Sequence, residues 1–362
     1  MTAAEPAADP GPKPHPRWRG PLLMVAKIAA LAIGVWLVVE ALRQVDWVQV
    51  GDALSRLTWW EIVVIIAIVG IRQTVNASTL PVLARGLSLG HALSTALAGT
   101  LIQTFTPPPS DTVLRLAMLK SYGVENTRGA AALVLDTVVF YLARFVAPIV
   151  GIVLAVIAMP VESVHLWMAL LGLGVTALLL WALWMITTGE TAAGRVGSLA
   201  ARVIKRLRPS VDPDAWAAAV IRFQRESATG LARKIGKATP IMLGFVLVDS
   251  LVVLVSLRFV GIPSHHIAYL AVLAAMFTLY PLTVFPFAGL GVLDAALIVL
   301  INAEDAADGP DLVAALVIWR VATLLLPLIP GLISLSLWRA REARRAAAGG
   351  SDENPAAART TG

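Results

Sequence analysis

The sequence predicts an all-α protein, a polytopic integral membrane helix bundle of six to eight spans with two Pro/Gly-broken segments arranged as an inverted repeat. Three observations carry that reading. Hydrophobic residues make up 58% of the 362-residue chain and charged residues 14%, with a mean hydropathy of +0.78, whereas soluble domains carry about 25% charge and about 45–50% apolar residues. Apolar runs long enough to cross a bilayer, about 20 residues, recur along the chain. Two broken apolar segments, 183 residues apart, resemble one another.

Residues 1–20 are rich in Pro, Ala and Arg and read as a disordered cytoplasmic tail; 21–340 form the membrane domain, and 341–362 a second disordered tail. The apolar run 22–42 follows Arg17 and Arg19 and has no small-residue cleavage site after it, so it is an uncleaved first span rather than a signal peptide. Further runs lie at 60–84, 129–158, 164–188, 240–260, 267–285 and 312–338, with shorter apolar pieces at 92–106, 111–119 and 291–302.

Segment 189–239 holds ten basic residues against four acidic ones, while Asn302–Asp311 carries Glu304, Asp305, Asp308 and Asp311 and no base. Excess Lys and Arg mark cytoplasmic loops, so 189–239 is inside and 303–311 outside. Arg17 and Arg19, and Arg339, Arg341, Arg344 and Arg345, put both termini of this cell-membrane protein inside as well. The net charge of +6 therefore reports topology rather than nucleic-acid binding. Helical spacing of Val196, Leu199, Val203 and Leu207, and the helix start Asp212-Pro213-Asp214, place basic amphipathic helices beside the anionic inner leaflet. A plain solvated loop fits the same residues.

With both termini inside, the number of crossings is even. Six long spans plus re-entrant hairpins at 92–120 and 267–302 satisfy this, as do eight spans in which 267–285 and 291–302 each cross. Either way 129–158 runs outward and 312–338 inward. The identical quartets Ala131-Ala-Leu-Val134 and Ala314-Ala-Leu-Val317 then lie on antiparallel helices, and the same offset carries Asp111 onto Asp294. Broken helices in corresponding places of inverted halves are the best sequence pointer to a transporter's substrate site.

An ionisable side chain deep in hydrocarbon costs about 2.5–3.5 kcal/mol on insertion scales, so it is paired or lines a cavity. The candidate substrate-binding residues are Arg72, Asp111, Arg115, Asp136, Arg144, Asp249, Asp294 and Arg320. Each also fits a structural role. Asp111 can cap a helix, with Arg115 as its i,i+4 partner. Arg72 can snorkel from a span end. Arg144 can pair within the bundle, and Asp249 can neutralise a neighbouring arginine. Arg320 aligns one position from Asp136 under the 183 offset, so these two are expected to pair near mid-bilayer, as a structural bridge or as a gate.

The stretches Phe105-Thr-Pro-Pro-Pro-Ser-Asp111-Thr-Val-Leu-Arg115 to Gly123, Ala130 to Arg144, and Pro286-Phe-Ala-Gly-Leu-Gly291-Val-Leu-Asp294 are similar to the transmembrane domain of lysylphosphatidylglycerol synthases, the flippase-like domain family. The resemblance covers roughly 20–340 in segment order. Pro108, Pro109 and Ser110 replace the glycines usual at the first site, Asp294 replaces the usual Glu at the second, and Leu135-Asp136 stands where an Arg is frequent. It implies a stand-alone member that moves or handles a membrane lipid or a lipid-linked, polyprenyl-type glycan, without the family's soluble synthase domain.

No Walker loop is present, so ATP drive is not expected. Gly289-Leu-Gly291 lacks the third glycine of a dinucleotide fingerprint, His265-His266 has no partner at metal-ligand spacing, and Gly86 and Gly90 fall in a polar turn. No cysteine is present, no cofactor or metal is expected, and the chain is not expected to be an enzyme. Translocation of a lipid between the two halves is the favoured function. A scaffold holding a glycosyltransferase partner on 189–239 is the alternative, and an intramembrane lipid enzyme acting through Asp111, Asp136 or Asp294 a third. The topology is open to test in this cysteine-free chain. Ser210→Cys should take an impermeant thiol label only after cells are opened, and Ala307→Cys should take it from outside.

Overall fold

The computed structural model describes residues 57–106, 109–158, 230–264, 267–284, 286–301 and 309–352, with a few isolated positions besides. The chain divides into units Met1–Val45 and Asp46–Gly362. The first unit, the run 164–188 and most of the basic segment 189–239 lie outside the described residues.

The described part is helical, with no strand. Helix α1 (Trp59–Ala77) opens with the Glu61 carboxylate accepting the Thr58 backbone N–H at 2.7 Å, and short α2 (Thr79–Leu83) continues it past a one-residue break. Helices α3 (Leu89–Phe105) and α4 (Ser110–Ser121) form a hairpin around the prolines, and α5 (Asn126–Ala158) is the longest helix at 33 residues. The second half of the chain is also helical. Helix α6 (Leu231–Phe259) is followed by α7 (Tyr269–Leu279) running into a 3₁₀ segment (Tyr280–Val284). A single turn α8 (Pro286–Gly289) precedes α9 (Val292–Ile301), then α10 (Gly309–Leu325) and α11 (Leu328–Asp352).

Among the described residues four stretches are long and apolar enough to cross a bilayer: Trp59–Leu83, Asn126–Ile157, Ala232–Phe259 and Asp311–Arg345. The arms of the broken segments are shorter. At 1.5 Å per residue α9 is about 15 Å long, half of a hydrocarbon core about 30 Å thick, and the 12-residue α4 is little longer. Neither crosses alone, which suits hairpins better than separate spans. Two boundaries differ from the sequence reading. The run 312–338 is interrupted at Pro327, because proline has no N–H to continue the ladder, and the final helix carries on to Asp352, well inside the stretch read as a tail. The basic residues Arg233, Lys234 and Lys237 belong to the first turns of α6, where the Lys234 ammonium donates to the Leu83 carbonyl at 3.2 Å.

Helix α6 is central and packs against α1, α2, α5, α7 and α10. Around it the packing is reciprocal. The arm before the second break, α7, lies against α5, and the arm before the first break, α3, lies against α11. Each contact contains a glycine at its tightest point. A Cβ at Gly151 would stand 2.5 Å from the Thr278 backbone nitrogen, and one at Gly331 would stand 2.7 Å from the Leu97 carbonyl oxygen. Small residues let membrane helices approach backbone to backbone, where dispersion between close-packed atoms replaces the hydrophobic drive that lipid cannot supply. Gly151→Ala and Gly331→Ala should each therefore force the helices apart and destabilise the protein by about 1–3 kcal/mol, read as a lower melting temperature in detergent, whereas Gly70→Ala, which meets open space, should leave it unchanged.

Candidate functional site

The eight candidate residues fall into four groups. The most enclosed centres on Asp249 of α6, which is 2% exposed. Its Oδ1 accepts from Arg72 Nε of α1 at 2.7 Å and from Trp319 Nε1 of α10 at 3.1 Å, and its Oδ2 accepts the Tyr280 hydroxyl at 3.2 Å. Arg72 also donates to Gln73 Oε1 at 3.2 Å and stacks over Phe245, 4.4 Å from the ring centre. Arg72 thus neither snorkels nor ends its span; it is the partner of Asp249.

The second group joins α4 to α5. Arg115 Nη2 lies 2.7 Å from Asp136 Oδ2, and the Thr79 hydroxyl donates to Asp136 Oδ1 at 2.6 Å. Arg115 enters because residue 99 is glycine; a Cβ there would meet the Arg115 Cδ at 2.9 Å. These side chains line a cavity of about 100 Å³ bounded by Asn76, Thr79, Gly99, Thr100, Gln103, Asp111, Arg115, Asp136 and Phe140, among others. Within it the Arg115 Nε is buried without an acceptor among the described residues. Asp111, in the first turn of α4, contributes a carboxylate to the same cavity. It does not cap the helix, whose N-cap is Pro109, and it does not pair with Arg115; its contact is the neighbouring Thr112 hydroxyl at 3.4 Å.

In the third group Arg320 Nε of α10 lies 2.7 Å from Asp294 Oδ1 of α9, and its two terminal nitrogens donate to the carbonyls of Ala288 at 3.1 Å and Gly289 at 3.4 Å. Those carbonyls are free because the chain turns left-handed there, with φ of 56° at Ala288, 73° at Gly289 and 81° at Gly291. Asp294 also accepts the Gly291 backbone N–H at 2.7 Å, the reach-back half of a capping box. The second break is thus held by one arginine and one aspartate.

The expected Asp136–Arg320 bridge does not form. Each of these charges is met by the opposite charge on the broken helix just before it in the chain, Arg115 for Asp136 and Asp294 for Arg320. A short connection brings those partners together at little entropic cost, so neutralisation is local. The cavity that Asp111 and Arg115 line has no residue of 286–294 in its lining, so the two broken loops do not share it.

Arg144 of α5 forms the fourth group. It is buried, and its Nε donates to the Thr283 hydroxyl at 2.6 Å, which in turn donates to the Tyr280 carbonyl at 2.6 Å. Its guanidinium lies 3.3 Å from the centre of the Phe140 ring. Of Arg72, Arg115, Arg144 and Arg320, it alone has no carboxylate partner among the described residues. It connects the cavity, through Phe140, to the 3₁₀ segment before the second break.

Sequence reasoning missed Thr79, Gly99, Tyr280, Thr283 and Trp319. Only Trp319 carried a signal, because the 183 offset places it on Asp136. Among the described residues no group of His, Cys, Asp and Glu could hold a metal.

A family model described as the lysylphosphatidylglycerol synthase TM region matches residues 26–331, most of the chain. No curated protein matches it.

Breaking a buried pair from one side costs about 3–5 kcal/mol, while replacing both partners with apolar groups is often neutral. Asp249→Ala should accordingly lower the melting temperature sharply, and Arg72→Met combined with Asp249→Leu should recover most of the loss. A melting temperature of Asp249→Ala equal to that of the wild type would show that the pair holds nothing together.

Proposed function

We propose, because the chain belongs to the lysylphosphatidylglycerol synthase transmembrane-region family, that it binds a phosphate-bearing lipid or polyprenyl-linked glycolipid and carries the headgroup across the cytoplasmic membrane without ATP hydrolysis and without chemical change. The observation that carries this reading is the cavity at Arg115 and Asp136. It is an ion-paired pocket with a polar lining between a broken helix and a long helix, in a region where unpaired backbone is tolerated only when it is covered by protein or lines a wet cavity.

The chemistry suits a phosphodiester headgroup. Arg115 has one nitrogen on Asp136 and a second that is buried without an acceptor among the described residues, so a phosphate that replaces the Asp136 carboxylate would take over the fork. Beyond Phe140, Arg144 supplies a cation with no carboxylate partner among the described residues. The carboxylates are a weaker objection than their number suggests. Asp136, Asp249 and Asp294 each have an arginine at 2.7 Å, which leaves Asp111 as the unneutralised acid at the cavity, placed to meet an amine or hydroxyl of the headgroup.

An inverted repeat would give the second face of the membrane an equivalent site, and three features support it. An element start recurs close to the offset of 183, with Ser110 of α4 carried to within one residue of Val292 of α9. The first arm of each broken segment packs on the long helix of the other half. The ion pairs correspond with their signs exchanged, base on α4 and acid on α5 in one half, acid on α9 and base on α10 in the other. Opening either half would then need the loss of one ion pair, with the lipid phosphate as replacement partner for the freed arginine.

Lipid co-purifying with the full chain, identified by mass spectrometry, should carry phosphate. In proteoliposomes Arg115→Gln should slow exchange of a labelled form of that lipid between leaflets at least about ten-fold, equivalent to one charge-assisted hydrogen bond, with membrane insertion retained. Exchange at the wild-type rate would end the reading.

A further inference from the structure

A second cavity lies away from the ion-paired groups, at the end of the bundle where α3 begins and α4 ends. It measures about 180 Å³ and is lined by His91, Ser121, Tyr122, Trp338, Arg341, Glu342 and Arg345. His91 and Tyr122 stack with centroids 4.0 Å apart and form an aromatic wall. The indole N–H of Trp338 donates to the Ser121 hydroxyl at 2.8 Å, and Arg345 donates to the Ser121 carbonyl at 3.0 Å and to Glu342 at 2.9 Å. These bonds fasten α11 to the last turn of α4. Glu342 is neutralised by Arg345, so the lining retains the charge of Arg341, whose guanidinium makes no hydrogen bond or ion pair among the described residues.

The stripe on α11 leading to this cavity is apolar and uncovered. Ile329, Leu332, Ile333 and Leu337 are 64%, 58%, 54% and 54% exposed. Ile333, Leu337 and Arg341 follow one another at intervals of four, so they share a face of the helix. Over two turns that face passes from acyl-chain chemistry to a free guanidinium beside a tryptophan. Tryptophan with its ring in apolar surroundings and its N–H on a polar partner is typical of the headgroup level of a bilayer. Basic pockets between membrane helices at that level suit anionic headgroups.

We propose that this cavity holds the phosphate headgroup of an anionic phospholipid, with its acyl chains along Ile333 and Leu337, as a standing site separate from the translocation path. The phosphate sits on Arg341 with Arg345 behind it, His91 and Tyr122 close the side, and the amino-terminal end of the 17-residue α3 adds its dipole. The bound lipid bridges α3, α4 and α11, the elements that frame the first broken segment. Its effect is to hold that hairpin against the long helix of the other half.

The test is native mass spectrometry of the full chain titrated with phosphatidylglycerol and, separately, with phosphatidylcholine of the same acyl chains. Both are run in the wild type and in an Arg115→Gln background, so that lipid lost from the central cavity is counted apart. Wild type should hold one phosphatidylglycerol more tightly than any phosphatidylcholine. Arg341→Gln should weaken it about five-fold, the worth of one arginine at a membrane surface, in both backgrounds, and Arg341→Lys should restore most of the affinity. Equal binding of the two lipids, or no change in Arg341→Gln, overturns the proposal. Inorganic phosphate that displaces the lipid at millimolar concentration also overturns it, by showing a site for free phosphate rather than for a lipid.

Discussion

Asp249 is the constraint on which the described bundle depends. A bare carboxylate at 2% exposure inside hydrocarbon is not tolerable, and this one is made tolerable by donors from three other places in the chain. Arg72 comes from α1, Tyr280 from the 3₁₀ segment and Trp319 from α10. In lipid the hydrophobic effect gives helices little reason to prefer one neighbour over another, so directional bonds and close packing decide the arrangement. A carboxylate with three donors on the central helix allows α1, the 3₁₀ segment and α10 only one relative placement. It also sets the register of α10 such that Arg320, the next residue after Trp319, reaches the second break.

The helical class, the four described spans and the position of both breaks are legible in the sequence because they rest on local properties: hydropathy over a span's length, and prolines and glycines that interrupt it. The identities of the important charges are legible for the same reason, since an arginine or aspartate within a long apolar run is conspicuous. Their pairing is not. Asp136 and Arg320 come within one position of each other under the 183 offset, and that near-match alone favours joining them. Which partner wins depends on the rotation of α4 about its own axis, and that follows from Gly99 opening a slot for the Arg115 stem. Nothing about an isolated glycine in Ala98-Gly99-Thr100 announces a slot. Thr79 and Thr283 escaped notice likewise, because a Ser or Thr hydroxyl in a membrane helix usually returns to its own backbone, as those of Thr74 and Thr95 do here.

Local pairing changes how the charges are to be understood. A bridge between Asp136 and Arg320 would have been one lock holding two halves together. The structure instead has two independent clasps, each tying a short broken helix to the long helix that follows it, plus the Asp249 node. The short helices are then the parts with least holding them. Helix α9 has ten residues and few neighbours, and its firm polar attachments are Arg320 and the Gly291 turn. Local unfolding free energies are lowest where buried contacts are fewest, which makes the two short helices the natural moving parts around an immobile α6.

The glycine contacts at Gly151 and Gly331 have a mechanical meaning. Most helix pairs are separated by side chains that can change rotamer and absorb a shift of an ångström or so. At these two points one backbone rests directly on another, with the Gly151 Cβ position 2.5 Å from a main-chain nitrogen, and backbone cannot be compressed or rotated out of the way. Displacement of α7 must therefore be taken up by α5, and displacement of α3 by α11. The two contacts behave as meshed gear teeth, so that a movement begun at either break is delivered to the far half of the molecule without slack.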